Sequence, residues 1–343
     1  VMKALRLVLI LLFITSLNCT AQISLKRVSD ELIFNKAPFP QCHASTIVEV
    51  APGKLMAAAF GGTREGNKDV CIWLSVMENG IWTEPVKMAD GIINDTLRYP
   101  CWNPVLFKSR KGKLFLFYKV GPSPGSWWGM VRTSTNGGKK WTSPEKLPDE
   151  ILGPIKNKSV QLANGTILSP SSTETKEANW KAHIEKSTDL GKTWQLIPVD
   201  PKTEFSVIQP CILIHPGSKL QILCRSRNNV ILQAYSEDNG NTWSEFSRTS
   251  LPNPNSGIDA VTLNNGWHLL VYNPTTQGRN GRAKLNVAIS EDGINWLDAV
   301  ILENEEKGEF SYPAVIQSKD GNVHITYTYN RINVKHVVLE IVK

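Results

Sequence analysis

The chain lacks most of the features that announce a common catalytic class. Its cysteines show no CxxC spacing and its six histidines are dispersed, so neither a zinc site nor any other metal cofactor is expected. No glycine-rich loop leads from a strand into a helix, which excludes the usual phosphate cradles. No run of like charge occurs either: the formal net charge of +7 falls to +5 once Lys3 and Arg6 of the N-terminal segment are set aside. A mildly basic, unclustered surface does not point to nucleic acid. The longest apolar run, Leu7 to Leu17, is too short to span a membrane. Helical periodicity is missing beyond that run, and neither a low-complexity tract nor a linker appears. The composition therefore reads as all-β, with residues 22–343 forming one domain.

The N-terminal segment combines Lys3 and Arg6, the apolar run, and Cys19-Thr20-Ala21 before Gln22. This pattern fits a secretory signal peptide over residues 1–21 and an exported, periplasmic or secreted protein. Leu17-Asn18-Cys19 is also loosely similar to a lipobox, which makes a lipid anchor on Cys19 the alternative. Five cysteines remain after cleavage. An odd number gives no disulfide framework, so most read as small core residues, with Cys42 and Cys101 the one candidate pair.

What the chain does have is a repeat. Ser-x-Asp-x-Gly-x-x-Trp occurs as Ser187 to Trp194 and as Ser236 to Trp243. Ser134 to Trp141 carries Asn136 in place of Asp, Ser290 to Trp296 is one residue shorter, and Ser75 to Trp82 is degenerate. The closing tryptophans are separated by 59, 53, 49 and 53 residues, the period of one four-stranded propeller blade. Each copy reads as a turn, with Asp or Asn bonding hairpin amides, Gly supplying positive φ and Trp packing between sheets.

A second register supports the first. Six apolar strands begin with a polar or ionisable residue: His43, Asn103, Lys158, Gln209, Asp259 and Tyr312, spaced by 60, 55, 51, 50 and 53 residues. After a Gly or Asn turn each is followed by a second apolar strand, so the pairs read as hairpins. Innermost propeller strands line the central channel, which predicts a six-bladed β-propeller with six strand starts at one mouth. The sixth blade has no motif, and the strand after the leader is expected to close it against Tyr312 and the C-terminal Val334 to Ile341 segment.

The returning strands end in Arg64, Lys119, Glu174, Arg225 and Arg331. Clustered cations are costly to desolvate without an anion, so the mouth is expected to bind a carboxylate, sulfate or phosphate of a ligand. Trp127 and Trp128, in a loop after a channel strand, are placed to stack on sugar rings there.

These residues together resemble the sialidase superfamily, in particular its sialidase-like proteins with Asp-box repeats, over nearly the whole mature chain. The resemblance implies that Arg64-Glu-Gly-Asn-Lys-Asp69 supplies a substrate-binding arginine and the acid/base Asp69. It implies that Arg225 and Arg282, the latter with Arg279 as rival, grip a carboxylate, and that Tyr312 is the nucleophile. The chain departs from the family in two places: Gln41-Cys-His43-Ala-Ser replaces an Arg-Ile-Pro motif, and Gln209 stands where the tyrosine's glutamate base is found. The expectation is an exported exo-glycosidase that releases a sialic or uronic acid from an anionic glycan without a cofactor. In this reading Gln209, Asp259, Lys158 and Asn103 complete the substrate contacts. Two alternatives stand beside it. One is a uronate lyase using His43 as base and Tyr312 as acid; the other is a propeller that binds glycans without cleaving them.

Overall fold

The computed structural model describes residues 23–175, 180–276 and 278–342. The leader lies outside them, as does the Arg279 side chain. Six antiparallel sheets are present, and each is a blade. The innermost strands of blades 1 to 6 are, in order, Gln41–Ala51, Cys101–Lys108, Val160–Gln161, Val207–Ile214, Asp259–Thr262 and Phe310–Gln317. Helical structure among the described residues is confined to one 3-10 turn, Arg279–Ala283.

The repeat motifs are the turns they were expected to be. Asp189 Oδ1 accepts the Thr193 amide at 2.9 Å and the Lys192 amide at 3.0 Å, while the Ser187 hydroxyl accepts the Gly191 amide at 2.8 Å. Asp238 and Asp292 repeat the pattern. Donors converging on a carboxylate favour its charged form; against some burial, they hold Asp238 and Asp292 down to about 2. Gly240 shows why glycine is needed: its φ is +82°, and a Cβ there would stand 2.9 Å from Leu168 of blade 3. The degenerate copy has no such network, and its Ser75 hydroxyl has no partner among the described residues.

Tryptophans of the motifs pack back on the preceding blade. Trp194 of blade 3 meets Phe117 of blade 2 edge-on, ring centroids 6.1 Å apart. The apolar cores accordingly lie between neighbouring sheets, such as the cluster that joins Ala58 and Leu74 of blade 1 to Leu116 and Tyr118 of blade 2. Blade 6 is closed by the two ends of the chain. Ser24–Leu32 pairs with Asn333–Val342 from Ser24 opposite Val342 to Leu32 opposite Lys335. The strand that carries Tyr312 lies at the other side of that sheet, so the closing strand meets the C-terminal segment and not Tyr312.

Candidate functional site

Four of the six inner strands are interrupted as they enter the channel. The pairing register slips between His43 and Thr46, Trp102 and Val105, Ile208 and Cys211, and Ser311 and Ala314. At each slip a residue other than glycine takes a left-handed backbone: Ala44 (φ 57°), Asn103 (32°), Gln209 (55°) and Tyr312 (53°). A bulge of this kind re-aims the side chain out of the pleat, and its strain is stored where the surrounding fold holds it. His43 therefore sits one position before the bulge, equivalent to Trp102, Ile208 and Ser311, whereas Ala44 is the equivalent of Tyr312. The sequence register had aligned His43 itself with Tyr312. A single residue cannot be phased from strand pattern when the bulge is invisible in it.

The bulges of blades 1 and 6 open onto a cavity of about 700 Å³ lined by Gln41, His43, Arg64, Glu65, Arg225, Arg282, Glu309, Tyr312 and Arg331. The Tyr312 hydroxyl accepts Arg225 Nη1 at 2.6 Å, and Gln209 Nε2 approaches it at 3.4 Å. Arg225 Nη1 also reaches Gln209 Oε1 at 3.2 Å, and Arg225 Nε donates to Asn255 Oδ1 at 2.8 Å. Asn255 holds the second arginine too, its carbonyl accepting Arg282 Nη2 at 3.2 Å. The Arg282 guanidinium lies 5.6 Å from the centre of the Tyr312 ring. Glu309 bridges Arg282 (2.9 Å) and Arg331 (2.7 Å), and Arg331 reaches on to Glu65 at 2.6 Å. Burial opposes ionisation of Glu309, but these arginines hold its carboxyl below the ordinary range.

His43 is buried against this cluster, its ring centroid 4.1 Å from that of Tyr312. Nδ1 lies 2.8 Å from Thr328 Oγ1, and Nε2 makes no hydrogen bond among the described residues. Burial, then the charges of Arg331, Arg282, Arg225 and Lys156, push the imidazole well below its usual range and keep it neutral. Four guanidinium groups thus face two carboxylates, Glu65 and Glu309, around a neutral histidine. Two positive charges remain for a ligand, which a carboxylate can take up.

The other residues singled out in the sequence are placed differently. Gln209 is buried behind the wall, bonded to both Arg225 and Tyr312. Lys158 and Asp259 bind each other: Lys158 Nζ reaches the carboxylate oxygens at 2.9 and 3.1 Å. Asp259 also accepts the Val315 and Ala260 amides at 2.8 and 2.9 Å. They are a tie across blades 3, 5 and 6, strengthened by buried Lys156, which donates to the carbonyls of Ile258 and Pro313. Asn103 is buried at its bulge and contributes nothing to the cavity wall. Lys119, expected at the mouth, is wholly buried and donates to the Pro154 carbonyl, its ammonium lowered by burial to about 7.

Asp69 lies in the exposed turn after blade 1's second strand and is not part of the cavity wall. Its carboxylate accepts the Thr63 amide and hydroxyl, both at 2.8 Å. Although partial burial opposes it, those bonds hold the carboxyl below its ordinary value. Glu174 is the opposite case: half-buried, it is raised by burial against the pull of Arg225 and Arg227. The two loop tryptophans also part company. Trp127 turns inward against Trp102, centroids 5.8 Å apart, while Trp128 stays half-buried against Tyr99 at 5.7 Å. Cys42 and Cys101 are both free and buried. Sequence reasoning missed Gln41, Glu65, Glu309 and Asn255. Glu309, three residues before Tyr312, was the one with a usable signal, since each clustered arginine needs a partner.

The family model described as a BNR repeat-like domain matches residues 53–325. An anhydrosialidase from Macrobdella decora is 22% identical over 223 residues, covering 57% of this chain and 29% of that protein, so the match spans under a third of the relative. Among solved structures, a protein of unknown function from Dyadobacter fermentans DSM 18053 superposes with a TM-score of 0.75 at 17% identity, covering 93% of this chain and all of that one. The K499G mutant of the NanB sialidase from Streptococcus pneumoniae gives 0.71 at 12% identity, over 91% of this chain and 71% of that one. At these identities the superpositions establish a shared sialidase-type propeller fold.

Proposed function

The chain belongs to the BNR repeat-like domain family, and from that premise we propose that it is an exported glycosidase that binds an anionic sugar in the arginine-lined cavity and cleaves its glycosidic bond. One observation carries the reading: Arg225, Arg282 and the Tyr312 hydroxyl converge on one cavity with two uncompensated positive charges. The carboxylate of a sialic or uronic acid satisfies that charge. It places the anomeric carbon near Tyr312; the phenol gives up its proton to solvent in the open cavity, the Arg225 guanidinium holds the resulting phenolate, and that oxygen attacks or stabilises the anomeric carbon. Gln209 supplies no base, so the tyrosine depends on the arginine. Protonation of the leaving oxygen falls to Asp69, in the exposed turn that also carries Arg64 of the cavity wall. Export rests on residues 1–21 and is checked by fractionating the host cell.

The neutral His43, with Nε2 free beside Tyr312, favours one second reading. In it His43 removes the proton α to an arginine-neutralised uronate carboxylate, Tyr312 protonates the leaving oxygen, and an unsaturated sugar results. Incubation with sialosides and uronate oligosaccharides, followed by mass detection, separates the two. Hydrolysis adds water; elimination adds nothing and leaves a C4–C5 double bond that absorbs in the ultraviolet. Binding without either product overturns both in favour of a glycan-binding propeller.

A further inference from the structure

Three of the four bulged strand starts place the left-handed residue directly before a proline, at Asn103-Pro104, Gln209-Pro210 and Tyr312-Pro313. A proline has no amide hydrogen, and a bulge of this form leaves carbonyl oxygens outside the ladder that a donor from elsewhere must satisfy. For the two bulges that meet at the Tyr312 hydroxyl, the donors come from blade 3, whose own inner strand pairs without a register slip. Just ahead of that strand, the buried Asn157 side chain donates through Nδ2 to the Gln209 and Pro210 carbonyls at 2.9 and 3.0 Å. Its neighbour Lys156, also buried, donates through Nζ to the Pro313 carbonyl and, at 2.9 Å, to the Ile258 carbonyl. Lys156 Nζ reaches Asn157 Oδ1 at 2.9 Å as well, which couples the two pins. On the far side of the Tyr312 bulge, Asp259 accepts the Val315 amide at 2.8 Å while it grips Lys158.

We propose that Lys156 and Asn157 are positioning residues for Tyr312: from blade 3 they fix the backbone of both bulges that set its hydroxyl against Arg225. Left-handed residues other than glycine persist only where their surroundings over-determine them, and here those residues are Gln209 (φ 55°) and Tyr312 (φ 53°). Neither pin lines the cavity, so both act through other residues. Asn157 holds Gln209, whose Oε1 shares Arg225 Nη1 with the Tyr312 hydroxyl at 3.2 and 2.6 Å. Lys156 holds the residue that follows Tyr312. A reacting oxygen displaced by about 1 Å costs on the order of 10²-fold in rate, whereas Arg225 keeps its bond to Asn255 without either pin. Loss of a pin should therefore lower turnover far more than affinity for an acidic sugar. The effect on turnover rests on the preceding reading; the setting of the Tyr312 hydroxyl does not, and is measured separately.

The test places 3-fluorotyrosine at position 312 of the full chain and reads its fluorine resonance, beside turnover of the 4-methylumbelliferyl glycosides of N-acetylneuraminic and glucuronic acid. Asn157→Ala is expected to shift or broaden the resonance and to lower kcat about 10- to 100-fold, with KM changed less than about threefold. Asn157→Ser, which keeps one donor, gives a smaller change in the same direction and stays readable if Asn157→Ala does not fold. Lys156→Met reads the second pin, with the same direction expected. Asp238→Asn, in the motif turn of blade 4 and outside the cavity wall, is the control for general destabilisation and should leave both the resonance and kcat unchanged. Folded pin variants with the wild-type resonance overturn the proposal, and so does a resonance that moves equally in Asp238→Asn. If the wild-type chain turns over neither glycoside, the glycosidase reading falls, and the resonance alone decides whether the pins position Tyr312.

Discussion

Blades 1, 2, 4 and 6 begin their inner strands with a bulge, and blades 3 and 5 begin theirs without one. In the first set a bulge with a left-handed residue re-aims the chain at the mouth, at Ala44, Asn103, Gln209 and Tyr312. In the second no left-handed residue marks the strand start, and Lys158 of blade 3 clasps Asp259 of blade 5 across the channel. The bulges of blades 1 and 6 open onto the cavity, and the clasp closes the channel. A polar strand start is thus no sign of a binding residue by itself.

Breaking the closing set is expected to have the largest effect. Asp259→Ala leaves Lys158 without its carboxylate and two amides without their acceptor, and should lower unfolding free energy by about 3 to 5 kcal/mol in a denaturant titration. If stability is unchanged, the clasp is not structural. On the opening set, Tyr312→Phe should reduce turnover roughly 10³-fold, about 4 kcal/mol of barrier, at nearly constant stability. Full activity in Tyr312→Phe combined with its loss in His43→Ala would transfer the chemistry to the histidine. Arg225→Met should weaken binding of the acidic sugar by about 2 to 4 kcal/mol, and reducing the sugar's carboxylate should mimic it.

Acid separates other parts of the molecule. His268 and His324 are each lowered to about 4, first by burial and then by a neighbouring histidine. Unfolded imidazoles bind protons near ~6.5, so over the interval between that value and about 4 the unfolded chain holds more protons. The stability these residues contribute is present above the interval and is lost as pH falls through it. Asp238 and Asp292, held at about 2, keep their contribution until the pH drops below the ordinary carboxylate range. Thermal melts between those limits should show the first loss well before the second, and His324→Gln should flatten it. The smallest effect concerns the bulge itself. Ala44→Gly should be near neutral, because relief of the left-handed backbone offsets a lost buried methyl, whereas Ala58→Gly in the regular strand beside it should cost about 1 to 2 kcal/mol.

The blades were legible because their signals are local: Ser187 to Trp194 contains every donor and acceptor of its turn within one short segment. The cavity was legible in kind, since Arg64, Arg225, Arg282 and Tyr312 do meet there. It was not legible in detail. Nothing near Lys158 in the chain announces Asp259, 101 residues on, and nothing near Arg225 announces Asn255. The phase of His43 failed for a related reason, because a bulge shifts facing by one residue without changing composition.

The pairing of Ser24–Leu32 with Asn333–Val342 sets when this protein can finish folding. Ser24–Leu32 is synthesised long before its partner, so the ring stays open until Asn333–Val342 has left the ribosome. Until then Ser24–Leu32 and Val323–Tyr329 each expose an unpaired edge. A chain stopped before Asn333 would lose Val334, Val337 and Leu339 from the cores around blade 6 and present two adhesive borders. Arrested synthesis of this protein should therefore yield oligomers built by exchange of the closing strand.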